Sequence, residues 1–285
     1  MISFVNLTAQ REKYRFELEK AEREVLDSGC YIGGPQVQAL EKELSEYLGG
    51  KIHTITCASG TDALTIALMA MDLRPGDEVI VPDFTFIAPA ECIALLGSTP
   101  KFADIDRETL QIDPESVKKL IGPHTKGIIA VNLFGQCAPF KELREIATEH
   151  KLWIIEDSAQ AFGARTNQMA CTFGDIAITS FYPSKPLGCY GDGGVAMGFS
   201  IVGPCLAGCR DRDLARFDRG RGQARGRRRF LTQPNRGRYG RACQHRFPRQ
   251  GQKGNNLQHL EKSYDGQTTE FHTIQDVSLF HPCKQ

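Results

Sequence analysis

One lysine, Lys185, stands in a stretch that is otherwise free of charge, Ser180-Phe181-Tyr182-Pro183-Ser184-Lys185-Pro186-Leu187-Gly188-Cys189-Tyr190-Gly191. The stretch follows the apolar run Ile176-Ala177-Ile178-Thr179 and closes in Asp192-Gly193-Gly194. A lysine that loses its hydration has a lowered pKa and becomes a usable amine nucleophile. Glycines beside it let backbone or ligand approach closely. Taken alone, the stretch reads better as a surface loop with a solvated lysine.

Three further stretches change that balance. Ala58-Ser59-Gly60-Thr61-Asp62-Ala63-Leu64 reads as the opening of a helix directly after a strand, where free N–H groups and the helix dipole favour a phosphate. Ser59 or Thr61 as a helix cap is the plainer reading, and it is compatible with phosphate binding. Phe84-Thr85-Phe86 places rings at the mouth of a strand, where one could stack on a planar heterocycle, although for either Phe alone core packing is favoured. Glu156-Asp157-Ser158-Ala159-Gln160 ends the apolar run Leu152–Ile155. A carboxylate there needs a partner, and a protonated ring nitrogen, an ion pair or a helix cap would each serve. A phosphate cradle, a stacking ring, a carboxylate and a shielded lysine together describe a site for pyridoxal 5'-phosphate (PLP). In it the lysine forms the Schiff base and the carboxylate keeps the pyridine nitrogen protonated.

The elements that must position these residues alternate. The pattern predicts helices over 8–28 and 35–48, separated by a glycine-containing loop. Strands are then predicted at Ile52–Cys57, Glu78–Val81, Lys101–Ile105, Gly127–Asn132, Leu152–Glu156, Ile176–Ser180 and Gly194–Met197. Helices are predicted between them at Gly60–Met71, Thr85–Leu96, Pro114–Ile121 and Phe140–His150. The strands are continuous apolar runs, as expected when helices cover both faces of a mostly parallel sheet. In such α/β sheets ligands sit at the carboxyl ends of the strands, where all four stretches fall.

Residues 1–198 resemble the DegT/DnrJ/StrS-type aminotransferases. The resemblance is carried by Tyr31-Ile32-Gly33-Gly34-Pro35, Ser59 through Leu64, Pro75-Gly76-Asp77-Glu78-Val79-Ile80, Phe84 through Ala88, Asp104-Ile105-Asp106, Ile155 through Gln160, and Ser180 through Gly194. It implies a large domain of PLP fold type I, aspartate-aminotransferase-like, with a mostly parallel seven-stranded sheet. It implies amination of a UDP- or dTDP-linked keto sugar, with glutamate as the usual donor, in the cytoplasm. The branch acting on UDP-2-acetamido-2-deoxy-3-oxo-glucuronate for bacterial surface polysaccharide is the most similar. The resemblance also assigns roles. Lys185 is the Schiff-base lysine and moves the proton in the 1,3-shift. Asp157 pairs with the pyridine nitrogen, and Gln160 lies near the ring's phenolic oxygen. Phe86 stacks on one ring face and Ala159 lies on the other. Gly60, Thr61 and Ser180 bind the phosphate, and Tyr31 and Gly33 lie where the sugar nucleotide enters. Relatives with histidine at the lysine position are dehydratases, which Lys185 argues against. Family members are homodimers with the site at the interface.

The pattern stops after residue 198. Residues 199–285 carry 14 Arg and 3 Lys against 7 Asp and Glu, a net of +10, whereas residues 1–198 carry 18 basic and 27 acidic side chains, a net of −9. Such a split marks a separate module or tail. A nucleic-acid-binding segment, a disordered appendage and an out-of-frame reading of the family's normal C-terminal half all account for it, and the last is favoured. The family's small C-terminal domain is then missing or replaced. The alternatives for the whole chain are a catalytically silent product or nucleic-acid association through the basic tail. The ten cysteines are scattered, as in a reduced compartment rather than a disulfide framework. Cys205, Cys209, Cys243 and His245 fit no common zinc spacing, so no metal is expected. No apolar run is long enough to span a bilayer, and no signal peptide is expected at Met1-Ile2-Ser3-Phe4.

Overall fold

A computed structural model describes residues 5–198. The arginine-rich tail, with the three readings of it and the candidate zinc residues, lies outside the described residues. In chain order the elements are α1 (Leu7–Lys13), α2 (Arg15–Ser28), α3 (Pro35–Tyr47), β1 (His53–Cys57), α4 (Gly60–Ala70), β2 (Glu78–Pro82), α5 (Ala88–Leu95), β3 (Thr99–Ala103), α6 (Pro114–Leu120), β4 (Thr125–Val131), α7 (Phe140–His150), β5 (Trp153–Asp157), β6 (Ile176–Ser180) and β7 (Gly194–Gly198). A 3₁₀ turn, Leu133–Gly135, follows β4.

Several expected boundaries move, β4 among them, which begins at Thr125. The helix expected over 8–28 divides at Tyr14, whose backbone at φ −115 and ψ 15 is non-helical and whose N–H turns back to the Arg11 carbonyl. The helix expected from Thr85 starts at Ala88, because Pro89 sits in its first turn and restricts the residue before it. The third strand begins two residues early, at Thr99. Pro100 is tolerated there because β3 is an edge strand.

All seven strands form one sheet, ordered β1-β7-β6-β5-β4-β2-β3. Only β7 runs against its neighbours, pairing antiparallel with β1 and with β6. A parallel return would need a crossover, usually helical. The connection 181–193 holds no helix, so the strand comes straight back. This reversal places Gly194, the first residue of β7, opposite both Cys57 and Ser180, the last residues of β1 and β6.

Alternate residues of the strands feed two faces. Val79, Val81, Ile129, Ile155 and Ile178 pack with α4 and α5, whereas Ile80, Ile128, Ala130 and Ile154 pack with α6 and α7 residues such as Val117, Leu143 and Ile146. Ala177, Val195 and Met197 pack against Leu40 and Leu44 of α3. Each fully buried Ile or Leu contributes about 1.5–3 kcal/mol, so removing either helical layer would leave the sheet unstable. The edge at β1 is closed by α3: the Glu41 carboxylate accepts from the Thr56 N–H and hydroxyl, each at 3.0 Å, and the Glu41 carbonyl accepts from the Thr54 hydroxyl.

Candidate active site at the carboxyl edge of the sheet

The start of α4, where a phosphate is expected, is assembled by close packing. Ser59 caps α4, its hydroxyl accepting from the Asp62 N–H at 3.0 Å and donating to the Asp62 carboxylate at 2.8 Å. The capping reading therefore holds for Ser59, while Gly60 and Thr61 open the first turn. Gly60 is pressed against Ser180: a Cβ on Gly60 would lie 2.7 Å from the Ser180 Cβ and 3.1 Å from its Oγ. A Cβ on Gly194 would strike the Ser59 carbonyl. Three strand ends thus converge at distances that exclude side chains. The Ser180 hydroxyl accepts from the Tyr182 N–H at 3.2 Å.

Asp157 lies next along the edge, at the end of β5. It is buried, and its Oδ1 accepts from the Ala159 N–H at 2.9 Å. Burial pushes its carboxyl up to about 6, while the Ala159 N–H and the Lys185 charge work in the opposite direction and the neighbouring Glu156 adds to the rise. Asp157 and Lys185 are therefore within electrostatic reach of one another. Lys185 is half-buried in the loop after β6, where its N–H closes a turn on Tyr182 at 2.8 Å. A buried carboxylate that lacks a full partner favours a cation in front of it.

Glu156, one residue earlier, faces away into the protein and is fully enclosed. Its Oε1 accepts from Asn132 Nδ2 at 2.8 Å, Ser158 Oγ at 3.0 Å and the Cys171 N–H at 2.6 Å. Its Oε2 accepts from the Phe173 and Gly174 N–H groups at 2.9 and 3.1 Å. Burial raises its pKa and those donors oppose the rise. Five polar partners engage its two oxygens, so the carboxyl is fully satisfied inside the protein. The sequence reading took Glu156 only as a neighbour of Asp157. The signal available was a second carboxylate in an apolar strand, which alternation puts on the opposite face.

The aromatic side of the edge is open. Phe86 is 64% exposed and Phe84 47%, so neither is a core residue. Between them the Thr85 hydroxyl is enclosed with no partner among the described residues. Phe84 meets Phe134 edge-on, with ring centroids 6.3 Å apart. Phe134 was not foreseen. It holds a left-handed φ of 55 and donates its N–H to Gln160 Oε1 at 3.4 Å. Tyr31 and Gly33 belong to the turn between α2 and α3. The Tyr31 hydroxyl donates to the Leu26 carbonyl at 3.2 Å, and Gly33 takes a φ of 61. Their contacts tie them to that turn and not to the cradle.

The arrangement fits a PLP-sized group. The close approach of Gly60 to Ser180, a buried carboxylate near a lysine, an orphaned hydroxyl at Thr85 and uncovered rings lie at the carboxyl ends of the strands. Residues 13–198 match the DegT/DnrJ/EryC1/StrS aminotransferase family. The chain is 47% identical over 195 residues to the UDP-2-acetamido-2-deoxy-3-oxo-D-glucuronate aminotransferase of Pseudomonas aeruginosa, covering 68% of this chain and 54% of that protein. The solved DegT DnrJ EryC1 StrS aminotransferase from Brucella abortus is 42% identical with a TM-score of 0.68, covering 73% of this chain and 58% of the other. NtdA from Bacillus subtilis, solved with bound cofactor PMP, is 33% identical with a TM-score of 0.67, covering 72% and 47%. The chain thus spans about half the length of the curated relatives it matches. These structures share the PLP fold type I architecture, and PLP is the cofactor of their family. By the match over residues 13–198, this chain belongs to the DegT/DnrJ/EryC1/StrS aminotransferase family.

Proposed function

We propose that the chain binds PLP and transfers an amino group, from glutamate, to a keto sugar carried on UDP or dTDP. The observation that carries the reading is the convergence of Gly60, Ser180, Asp157 and Lys185 on one sheet edge. Gly60, Thr61 and Ser180 would hold the phosphate. Asp157 would hold the proton on the pyridine nitrogen, because a cation relieves its burial. Phe86 and Ala159 would bracket the ring, and Gln160 would meet its phenolic oxygen. When bound, the cofactor supplies an electron sink and carries the amino group between donor and acceptor. The Lys185 amine would hold the cofactor and then move the proton at the sugar carbon. Tyr31 and Gly33 would line the entry of the sugar nucleotide. The relative's printed substrate supports a 3-keto sugar of the UDP-acetamido class. A cytoplasmic homodimer serving surface polysaccharide synthesis completes the proposal.

The test is spectroscopic. The purified chain with added PLP should develop a visible absorption band that Lys185→Ala lacks, and should aminate a UDP-linked 3-keto sugar when given glutamate. A wild-type chain with no Lys185-dependent band would sink the reading.

A further inference from the structure

The turn after β4 is held more firmly than an exposed loop requires. Gln111 is buried, and its amide brackets the backbone of Leu133: Nε2 donates to the Leu133 carbonyl at 3.1 Å and Oε1 accepts from the Leu133 N–H at 3.3 Å. Asn132, fully enclosed, donates to Glu156 and to Ser158 Oγ at 2.9 Å and accepts from the Ala138 N–H at 2.9 Å. Both ends of this bracket carry left-handed non-glycine residues, Leu110 at φ 59 and Phe134 at φ 55. Each costs on the order of 1 kcal/mol or more and persists only where its surroundings over-determine it. Such strain gathers where geometry serves a ligand.

The residue this strain serves is Gln160. The Phe134 N–H can only donate, so the amide atom facing it must be the oxygen, which fixes which way the side chain is turned. The Gln160 Nε2 is then directed elsewhere, and among the described residues nothing accepts from it. We propose that Gln111 and the Phe134 turn are positioning residues, which hold Gln160 with its Nε2 donor presented to an oxyanion on the bound ligand. This rests on the proposed PLP reading, in which that oxyanion is the ring's phenolic oxygen. The ring of Phe134 is not needed for the effect, which runs through its backbone.

The test titrates the Lys185-linked chromophore of the full chain with pH. Asp157 is coupled to Lys185 and Glu156, and Asp62 and Glu91 act on the same neighbourhood; none of these is altered in the variants. An N–H donor stabilises the deprotonated phenolic oxygen, so Gln160→Leu should raise the midpoint by on the order of one pH unit. Gln111→Leu should raise it in the same direction. So should Gly135→Ala, which strains the turn through its backbone because Gly135 has a φ of 82, while the open space around it leaves no side-chain clash. Phe134→Ala, which keeps the N–H, should leave the midpoint at the wild-type value. Combining Gln160→Leu with Gln111→Leu should add no further shift. Loop variants that bind the cofactor with an unmoved midpoint, or doubles whose shifts add, overturn the proposal. A wild-type chain without a chromophore defeats the PLP reading instead, and hydrogen exchange on the cofactor-free chain then decides. Faster exchange at 133–135 in Gln111→Leu supports the positioning role, and unchanged exchange overturns it.

Discussion

At the scale of single residues, Asp157 shows how a site is held at a cost to the fold. Its carboxyl ordinarily titrates near 3.8 and burial pushes it up to about 6 in the folded chain. The folded state therefore binds more protons than the unfolded state between those values. Stability falls as pH rises through that window, and the penalty is complete above it. At neutral pH the cost is on the order of 2–3 kcal/mol. Asp157→Asn keeps an oxygen for the Ala159 N–H and removes the charge. In urea unfolding of the cofactor-free chain, the variant should exceed wild type by about that amount near about pH 8 and by about a third of it near about pH 4.5. A gap of equal size at both pH values would refute burial as its source. The same variant should hold PLP poorly, a stability gained by losing function. Asp157, Lys185, Gly60 and Ser180 were legible because each has a residue type that the chemistry needs, at the end of a recognisable strand. Phe134 and Gln111 were not legible. A phenylalanine in the left-handed region is contrary to its local preference, and only the finished tertiary bracket around Leu133 imposes it.

At the scale of elements, the proposed cradle depends on how near three strand ends can come. Strand positions were legible from apolar runs such as Val79–Val81 and Ile154–Ile155, which need helices on both faces. The direction of β7 was less so, because Gly194–Gly198 reads the same either way. The absence of a helix in 181–193 is the feature that fixes its reversal. That reversal brings Gly194 against Ser59 and leaves Gly60 facing Ser180. Gly60→Ala puts a methyl 2.7 Å from the Ser180 Cβ and 3.3 Å from its Cα, so strand end and helix start must part. Overpacking of this kind costs about 1–3 kcal/mol. The larger effect should be selective. The variant should lose most of the preference of the chain for PLP over pyridoxal, which lacks the phosphate. Affinities for the two compounds, measured side by side by fluorescence or calorimetry, give the ratio. If Gly60→Ala weakens both equally, the cradle is not at this helix start.

At the scale of the whole molecule, one edge of a seven-stranded sheet gathers Gly60, Ser180, Asp157, Lys185 and the proposed stacking ring Phe86. The rings of Phe84, Phe86, Phe134, Tyr182 and Tyr190 are exposed, in the loops that follow the carboxyl ends of β2, β4 and β6. Rings left uncovered beside a buried carboxylate and an orphaned hydroxyl form a surface that gains by being occupied. Occupation should therefore register as stability of the described domain. A ligand that binds only the folded state adds about 2.7 kcal/mol at a hundredfold excess over its Kd. Thermal unfolding of the full chain should move upward with PLP concentration, following that logarithmic law. In Lys185→Ala the covalent link is gone, while Gly60, Ser180 and Asp157 remain. The rise should then be smaller and displaced to higher PLP concentration, but still present. An identical rise in both proteins would place the bound PLP away from Lys185. No rise in either would mean that these strand ends, although gathered, do not hold the cofactor. Only the intermediate outcome fits a site in which the lysine and the cradle act on one ligand from separate strands.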